Sequence, residues 1–368
     1  MRIGIDASRL TEFNRTGTEN YLYNLVKELS NISTENKYIL YFKNLLSDDF
    51  INDLIGKKGN IEFKFVPKKH SSWTQGSLAL ELLRFSPDVL FCPWHTAPLL
   101  GRLSTKFVTL VHDMSGSLFW TTAACRLSSH IIVVSESVKS DLKSKVNTKN
   151  IPISVIYEGV NTSLFKKQGE EITGNVLNKY DINSEYVLHV GTLNTRKNII
   201  NQLIAFEEVL KNKTVPTDSL FVLVGRKGNS FDEVMHYINS SPHRDNIKYL
   251  GSVSDAELLA LITGSICLTY ASTYEGFGLP ILEAMSIGTP VITSNISSMP
   301  EIAGKAAYFV SPLSMKELKV AYTEMFNNSL LRDSLIELGY SRSASFSWLN
   351  TALQIDKLFT ELNQNRRK

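Results

Sequence analysis

The chain has 368 residues, 43% hydrophobic and 20% charged, with 20 Gly and 11 Pro, which excludes disordered, collagen-like and low-complexity classes. At roughly 150 residues per domain the length corresponds to about two domains. A net charge of +3 is too small to imply nucleic acid, and Cys92, Cys125 and Cys267 form no Cys-x-x-Cys pair, which suits a reducing compartment and argues against structural zinc.

Apolar runs rich in β-branched residues alternate with amphipathic stretches. Arg2–Ala7 reads as a strand and Glu19–Leu29 as a helix with Tyr21, Leu22, Leu25, Val26 and Leu29 on one face. Strands follow at Tyr38–Phe42, Ile61–Val66, Val89–Cys92, Phe107–Val111, His130–Val134 and Ser154–Tyr157. Several are apolar throughout, as expected of strands covered by helices on both faces. Ser135 is set to cap a helix over Glu136–Lys145. A polar stretch from Lys166 to Glu185 interrupts the pattern and marks a domain boundary. The alternation restarts with strand Tyr186–Val190, helix Ile199–Leu210, strands Leu220–Val224 and Ile247–Leu250, helix Asp255–Thr263 and strand Ile266–Ala271. Helix Pro280–Ser286, strand Val291–Thr293, helices over Met315–Leu338 and a last helix near Trp348–Leu362 complete two successive doubly wound α/β halves.

The first residues carry charges where a signal peptide needs an apolar core, and the uncharged run Leu258–Tyr274 is shorter than the roughly 20 residues that span a bilayer. A cytoplasmic protein without a spanning segment is expected. Residues 1–165 hold 19 Lys and Arg against 15 Asp and Glu. Lys57, Lys58, Lys64, Lys68 and Lys69 crowd around Phe63 and Phe65. A solvated surface explains that cluster better than a peripheral contact with an anionic membrane, which stands as the alternative.

Nucleotide-binding fingerprints are absent in the usual forms. There is no Gly-x-x-x-x-Gly-Lys-[Ser/Thr], and Gly276-Phe277-Gly278 lacks the third glycine of a dinucleotide motif. No His-x-x-x-His or Asp-x-Asp pair offers metal ligands. What stands out is Glu275-Gly-Phe-Gly-Leu-Pro-Ile-Leu-Glu283, which follows a strand and opens a helix with Pro280 near its start. Glycines there let the backbone approach a ligand, and free N–H groups at the helix start suit a diphosphate or sugar oxygens. Arg196 and Lys197 sit in a second strand-to-helix turn, where two cations and a helix terminus can share a diphosphate. His112 ends the strand Phe107–Val111, with His95 as a second candidate at a strand end.

The Glu275–Glu283 segment resembles the E-x7-E motif of retaining glycosyltransferase family 4. Further similarities are Gly191-Thr192 with Arg196-Lys197-Asn198, Val224-Gly225, Leu250-Gly251-Ser252-Val253-Ser254, Val134-Ser135-Glu136-Ser137, Gly159-Val160-Asn161 and Ser345-Phe346-Ser347-Trp348. Gly17-Thr18-Glu19-Asn20 lies where that family has its first glycine-rich turn. The resemblance implies a GT-B fold of two facing Rossmann-like domains, residues 1–170 and 171–345, with a helix at 346–368 crossing back to the first. It implies that Glu283 binds the donor ribose, that Glu275, Gly276, Phe277, Gly278 and Leu279 hold the donor sugar, and that Val253 lies beside the base. His112 would contact the donor sugar, and Arg196 and Lys197 would stabilise the departing diphosphate without a metal or other cofactor.

The resemblance implies as partners a nucleotide-sugar donor and a saccharide acceptor, expected to be lipid-linked, in cell-surface polysaccharide synthesis. Ile3-Gly-Ile-Asp-Ala-Ser8 and the Gly17 turn look most like the mannosyltransferase branch, hence GDP-mannose. Two departures bear on the expectation. The family carries a long helical excursion where Met114–Ser129 is short, which bears on acceptor binding and activity, and Glu158 stands where Asn usually precedes Gly159. A nucleotide-sugar epimerase on the same fold, or a binding or scaffold subunit without catalysis, remain as alternatives.

Overall fold

Hydrophobic alternation resolves into two parallel sheets, each belonging to its own unit of the chain. The computed structural model describes residues 1–10, 17–55, 59–100, 105–148 and 150–364; Lys57 and Lys58 of the basic cluster lie outside them. One unit comprises Met1–Gly159 with the segment beginning at Ser347, and the other Val160–Phe346.

The first unit runs β1 (Arg2–Asp6), α1 (Gly17–Leu29), β2 (Lys37–Phe42), α2 (Asp48–Leu54) and β3 (Ile61–Phe65). A π-helical turn at Trp73–Leu78 leads into α3 (Ala79–Arg84), then β4 (Val89–Cys92), β5 (Lys106–Val111), α4 (Leu118–Leu127), β6 (His130–Val133), α5 (Glu136–Lys145) and β7 (Ile153–Val155). The strands pair in parallel in the order β3-β2-β1-β4-β5-β6-β7. Ser135 does cap α5, its hydroxyl accepting from the Val138 N–H at 3.1 Å. The short segment after His112 is helical: α4 occupies most of it and leaves Leu118, Phe119 and Trp120 exposed.

The C-terminal helix (Trp348–Gln364) belongs to this unit. Trp348 meets Tyr21 edge-on at 5.4 Å and Phe359 meets Phe91 at 5.7 Å. Asp356 accepts from Asn36 Nδ2 at 2.7 Å, from Thr34 Oγ1 at 2.9 Å and from the Tyr38 hydroxyl.

The second unit runs α6 (Glu170–Lys179), β8 (Tyr186–Val190), α7 (Ile199–Lys211), β9 (Leu220–Val224), α8 (Phe231–Ser240), β10 (Ile247–Gly251), α9 (Asp255–Gly264) and β11 (Cys267–Tyr270). It continues through α10 (Leu279–Ile287), β12 (Val291–Ser294), α11 (Met299–Ala303), β13 (Tyr308–Val310), α12 (Met315–Asn327) and α13 (Ser329–Ala344). Its parallel order is β10-β9-β8-β11-β12-β13. Strands β8, β9 and β11 are buried along their whole length, as their unbroken apolar runs require. Phe206 on α7 packs edge-to-face on Phe221 and Tyr322, at 5.5 and 5.9 Å.

The division falls at Gly159, earlier than the expected 170/171. The polar stretch belongs to the second unit, within which α6 packs. Gln168 N–H donates to Thr263 Oγ1 at 3.1 Å, and the Ser286 hydroxyl donates to the Phe165 carbonyl at 2.8 Å. Among the described residues no helix is long and apolar enough to cross a membrane.

Candidate functional site

In each sheet the chain winds outward in both directions from a central strand pair, β1/β4 in the first unit and β8/β11 in the second. Ligands of open α/β sheets bind outside the C-terminal ends of the strands at such a switch point. The expected cations and carboxylate of the second unit converge there. Residues 195–197 form a 3₁₀ turn after β8, and Glu275 follows β11.

Glu275 joins the two cations. Lys197 Nζ lies 2.7 Å from its Oε1, and Arg196 Nη1 bonds Oε2. Arg196 Nη1 also donates to the Tyr274 carbonyl at 3.0 Å. The Lys197 ammonium bonds the Tyr270 hydroxyl and lies 4.2 Å from that ring's centroid. Lys197 and Glu275 are each only 5% exposed. Burial lowers the Lys197 pKa, with Glu275 opposing the shift and Arg196 adding to it. For Glu275 burial acts upward, but Lys197 and Arg196 together outweigh it and hold the carboxyl below its ordinary range. The Glu275 carboxylate thus opposes the burial shift of Lys197, and the two cations favour its charged form.

Backbone and side-chain bonds fix this geometry. Asn198, left-handed at φ 57°, bridges β11 to the turn by donating to the Ala271 carbonyl at 3.1 Å and the Pro312 carbonyl at 2.7 Å. Buried Gln202 donates to the Lys197 carbonyl at 2.7 Å. Gly191 has φ 148°, and a Cβ there would sit 3.2 Å from Lys197 Cε, so a bare backbone leaves the lysine its path. His189 lies beneath, stacked on Tyr270 with Nδ1 3.1 Å from the Thr269 carbonyl. Burial, then the Lys197 charge, pushes His189 down to about 4, so it stays neutral near pH 7.

The loop from Glu275 to Gly278 leads directly into α10. Gly278 takes φ 115° at the helix N-cap, where no side chain caps the first turn, and Pro280 lies in that turn. Pro280 has no N–H and the Ile281 N–H donates to the Gly278 carbonyl at 3.0 Å, so the Leu279 N–H and the helix dipole are what the first turn offers a ligand. Ser297 and Ser298 staple the loop: Ser298 Oγ lies 2.9 Å from the Glu275 carbonyl and 2.8 Å from that of Phe277, and Ser297 Oγ donates to the Glu275 carbonyl at 2.7 Å. Buried Phe277 meets Phe346 edge-on at 5.9 Å, while Gly276 is buried and Leu279 half-buried. Glu283 lies half-buried on the second turn of α10. Val253 is half-buried in the turn between β10 and α9, beside Ser254, whose capping box with Glu257 starts α9.

The first unit holds the remaining candidates. Gly17 is the first residue of α1, with open space where a Cβ would be. His112, buried at the end of β5, has Nδ1 3.2 Å from Glu158 Oε1, and the edge of Tyr21 at 4.9 Å. Its Nε2 is buried with no hydrogen-bond partner among the described residues. The His112 backbone N–H donates to His95 Nε2 at 3.2 Å, and the two rings stack at 6.0 Å. Burial, then His112, pushes His95 down to about 4. The departure at Glu158 therefore supplies the carboxylate that orients His112. Tyr270, Ser297 and Ser298 carried no sequence signal, since each acts across at least 21 residues of chain; Glu158 stood out as a departure, but its His112 partner lies 46 residues away.

Known proteins match along nearly the full length. Residues 15–164 match the family described as Glycosyltransferase Family 4, and residues 177–342 match Glycosyl transferases group 1. O-antigen chain mannosyltransferase B of Escherichia coli is 34% identical over 49% of this chain and 47% of its own length. O-antigen chain mannosyltransferase RfbU of Salmonella typhimurium is 30% identical over 63% of each chain. The matches thus span about half to two thirds of these curated relatives. Among solved structures, Anabaena HepE in complex with UDP and glucose superposes with a TM-score of 0.79, at 18% identity over 98% of this chain and all of that one. Sucrose-phosphate synthase from Thermosynechococcus elongatus gives 0.78 at 17% identity over 99% of both. The two sheets are those of the GT-B fold, and the chain belongs to glycosyltransferase family 4.

Proposed function

We propose that the chain transfers a hexose, with retention of configuration, from a nucleotide-sugar donor to a saccharide acceptor in cell-surface polysaccharide synthesis. The observation that carries this reading is the buried Lys197–Glu275 pair with the part-exposed Arg196 at the switch point, beside a helix start that no side chain caps. Such a set suits a leaving group that gains negative charge. Cleavage of the bond between sugar and diphosphate concentrates charge on the β-phosphate. Preorganised cations in a dry site stabilise that charge more in the transition state than in the bound donor. Glu275 holds the two cations apart and in place, and its own oxygens are engaged by them. Gly276–Leu279 and the start of α10 receive the donor sugar and phosphate oxygens, Glu283 the ribose hydroxyls, and Val253 the base. His112, oriented by Glu158, has an Nε2 with no partner among the described residues and so can serve a saccharide hydroxyl.

With the charge of the leaving group met by Arg196, Lys197 and the helix, the reaction needs no metal ion. The acceptor hydroxyl attacks the face that the diphosphate leaves, and the departing phosphate takes the proton. The names of the O-antigen mannosyltransferases among its relatives support GDP-mannose as donor and a lipid-linked saccharide as acceptor. The test is calorimetry and nucleotide release with GDP-mannose, UDP-glucose and their diphosphates. GDP-mannose should bind and release GDP slowly without acceptor. Binding without any release, with or without saccharide acceptors, would leave only a sugar-nucleotide-binding subunit.

A further inference from the structure

Tyr270, the last residue of β11, is buried at 2% exposure, yet its hydroxyl meets the Lys197 ammonium and accepts a hydrogen bond from it. The same ring presents its face to that ammonium, 4.2 Å from the centroid. The ring is itself held by His189 of β8, which stacks on it at 6.3 Å with an interplanar angle of 21°.

An ammonium has three N–H donors. Among the described residues one goes to Glu275 Oε1 at 2.7 Å, one goes to Tyr270, and the third has no partner. A lysine head on its four-carbon stem is otherwise a mobile point charge. Two fixed partners make it a directed one. The chemistry of the second partner matters as well. Burial, then the Glu275 charge, raises the Tyr270 pKa well above 10, so the phenol is neutral. A neutral hydroxyl steadies the ammonium without cancelling its charge, whereas a second carboxylate there would repel an anionic ligand.

We propose that Tyr270 is a positioning residue for sugar transfer: its hydroxyl and ring face hold the Lys197 ammonium protonated and in place, with one N–H left for a diphosphate oxygen. The part played in transfer rests on the transferase reading above; the hold on Lys197 toward any bound diphosphate does not. Lys197 needs its proton for this. Glu275 after β11 favours the proton, while Arg196 in the same turn opposes it. His189 from β8 is neutral, and Glu283 of α10 acts on the Tyr270 hydroxyl. A hydrogen bond to a charged form raises the pKa of a base. Removing the Tyr270 oxygen therefore lowers the Lys197 pKa, and its function is lost at a lower pH as pH rises.

Tyr270→Phe keeps the ring and loses the acceptor, and Tyr270→Leu loses both. The control is Tyr186→Phe, which removes another buried hydroxyl, one that donates to the Leu261 carbonyl at 2.6 Å. Calorimetry with GDP and UDP from pH 6 to 10 is run beside single-turnover cleavage of GDP-mannose, with folding checked by circular dichroism. Titration of the nucleotide itself is common to all variants. At pH 7 Tyr270→Phe should lower the cleavage rate constant about tenfold and raise the GDP dissociation constant less than about threefold. The alkaline fall of both quantities should move to lower pH, further in Tyr270→Leu and not at all in Tyr186→Phe. In a Lys197→Ala background Tyr270→Phe should cost nothing more, because the contact is already gone. An unmoved alkaline fall in the Tyr270 variants, or the same fold loss with and without Lys197, makes Tyr270 a core residue only and overturns the proposal. Should one Tyr270 variant fail to fold, the other decides. A wild type that binds GDP but never cleaves GDP-mannose removes the transferase, and the GDP series then still tests the hold on Lys197. Failure of both nucleotides to bind removes both readings.

Discussion

Glu275→Gln should destabilise the protein while hardly changing the shape of its side chain. The substitution leaves Lys197, whose side chain is 6% exposed, and Arg196, 32% exposed, without their shared carboxylate. Breaking a buried pair by removing one member costs about 3–5 kcal/mol. The Arg196 end counts near the ~0–1 kcal/mol of an exposed pair. Tyr270 still accepts from Lys197, and the lysine can shed its proton, because burial already lowers its pKa. The expected loss is therefore at the lower end, about 3 kcal/mol at pH 7.

The pH dependence carries the sign. The carboxyl of Glu275 is held below its ordinary 4.5, so its contribution is present above that value and is lost as pH falls through the folded pKa. Without the carboxylate Lys197 shifts further below 10.5, so the deficit shrinks again as pH rises toward 10.5. The loss should thus be greatest between the two. Glu275→Gln/Lys197→Met, which removes both buried charges, should lie nearer the wild type than Glu275→Gln alone. The assay is urea unfolding from pH 4 to 10, followed by far-UV circular dichroism. A loss under 1 kcal/mol at pH 7, with no pH dependence, would refute the claim of a buried, charge-paired Lys197 and Glu275.

Three further outcomes are expected. Glu283→Ala should weaken GDP binding by about 1.5–3 kcal/mol with the melting temperature unchanged, measured by calorimetry; unaltered affinity would remove Glu283 from the site. EDTA should leave sugar transfer largely intact, and loss of activity restored by Mg²⁺ or Mn²⁺ would contradict that. His189, neutral when buried with a pKa of about 4 against 6.5 when unfolded, contributes stability that is full above 6.5 and falls by about 3 kcal/mol as pH drops to 4. His189→Gln should therefore flatten the stability–pH slope over that interval in urea titrations, and an unchanged slope would place the proton elsewhere.

Much of this was legible in the sequence because it is local. The unbroken apolar runs of β8, β9 and β11 and the helix face of α1 declare themselves within a few residues, as do the turn holding Arg196 and Lys197 and the glycine-rich entry to α10. α6 falls in the polar stretch that composition marks as a domain boundary, because Thr173 is its one buried residue and its polar surface looks like solvated chain. β13 has only three residues, too few for a period to register. The site's long-range partners were hidden for a different reason. The Glu158 carboxylate reaches His112 across 46 residues, and Ser298 reaches the 275–278 loop across 21 to 23. Nothing local distinguishes such a serine from any other loop serine. The division at Gly159 was displaced in the reading because the boundary is set by what α6 packs on, not by composition.

The central claim, that Arg196 and Lys197 stabilise a departing diphosphate, is tested most directly by single-turnover cleavage of GDP-mannose with wild type beside Lys197→Ala, donor affinity being titrated in parallel. The rate constant should fall about 10²–10³-fold, the scale for losing one preorganised electrostatic partner. The dissociation constant should rise far less, because Arg196 and the start of α10 still hold the ground-state phosphates. A dissociation constant that rises as much as the rate constant falls would make Lys197 a binding residue only, and a wild type that never cleaves the donor with any acceptor would contradict the account.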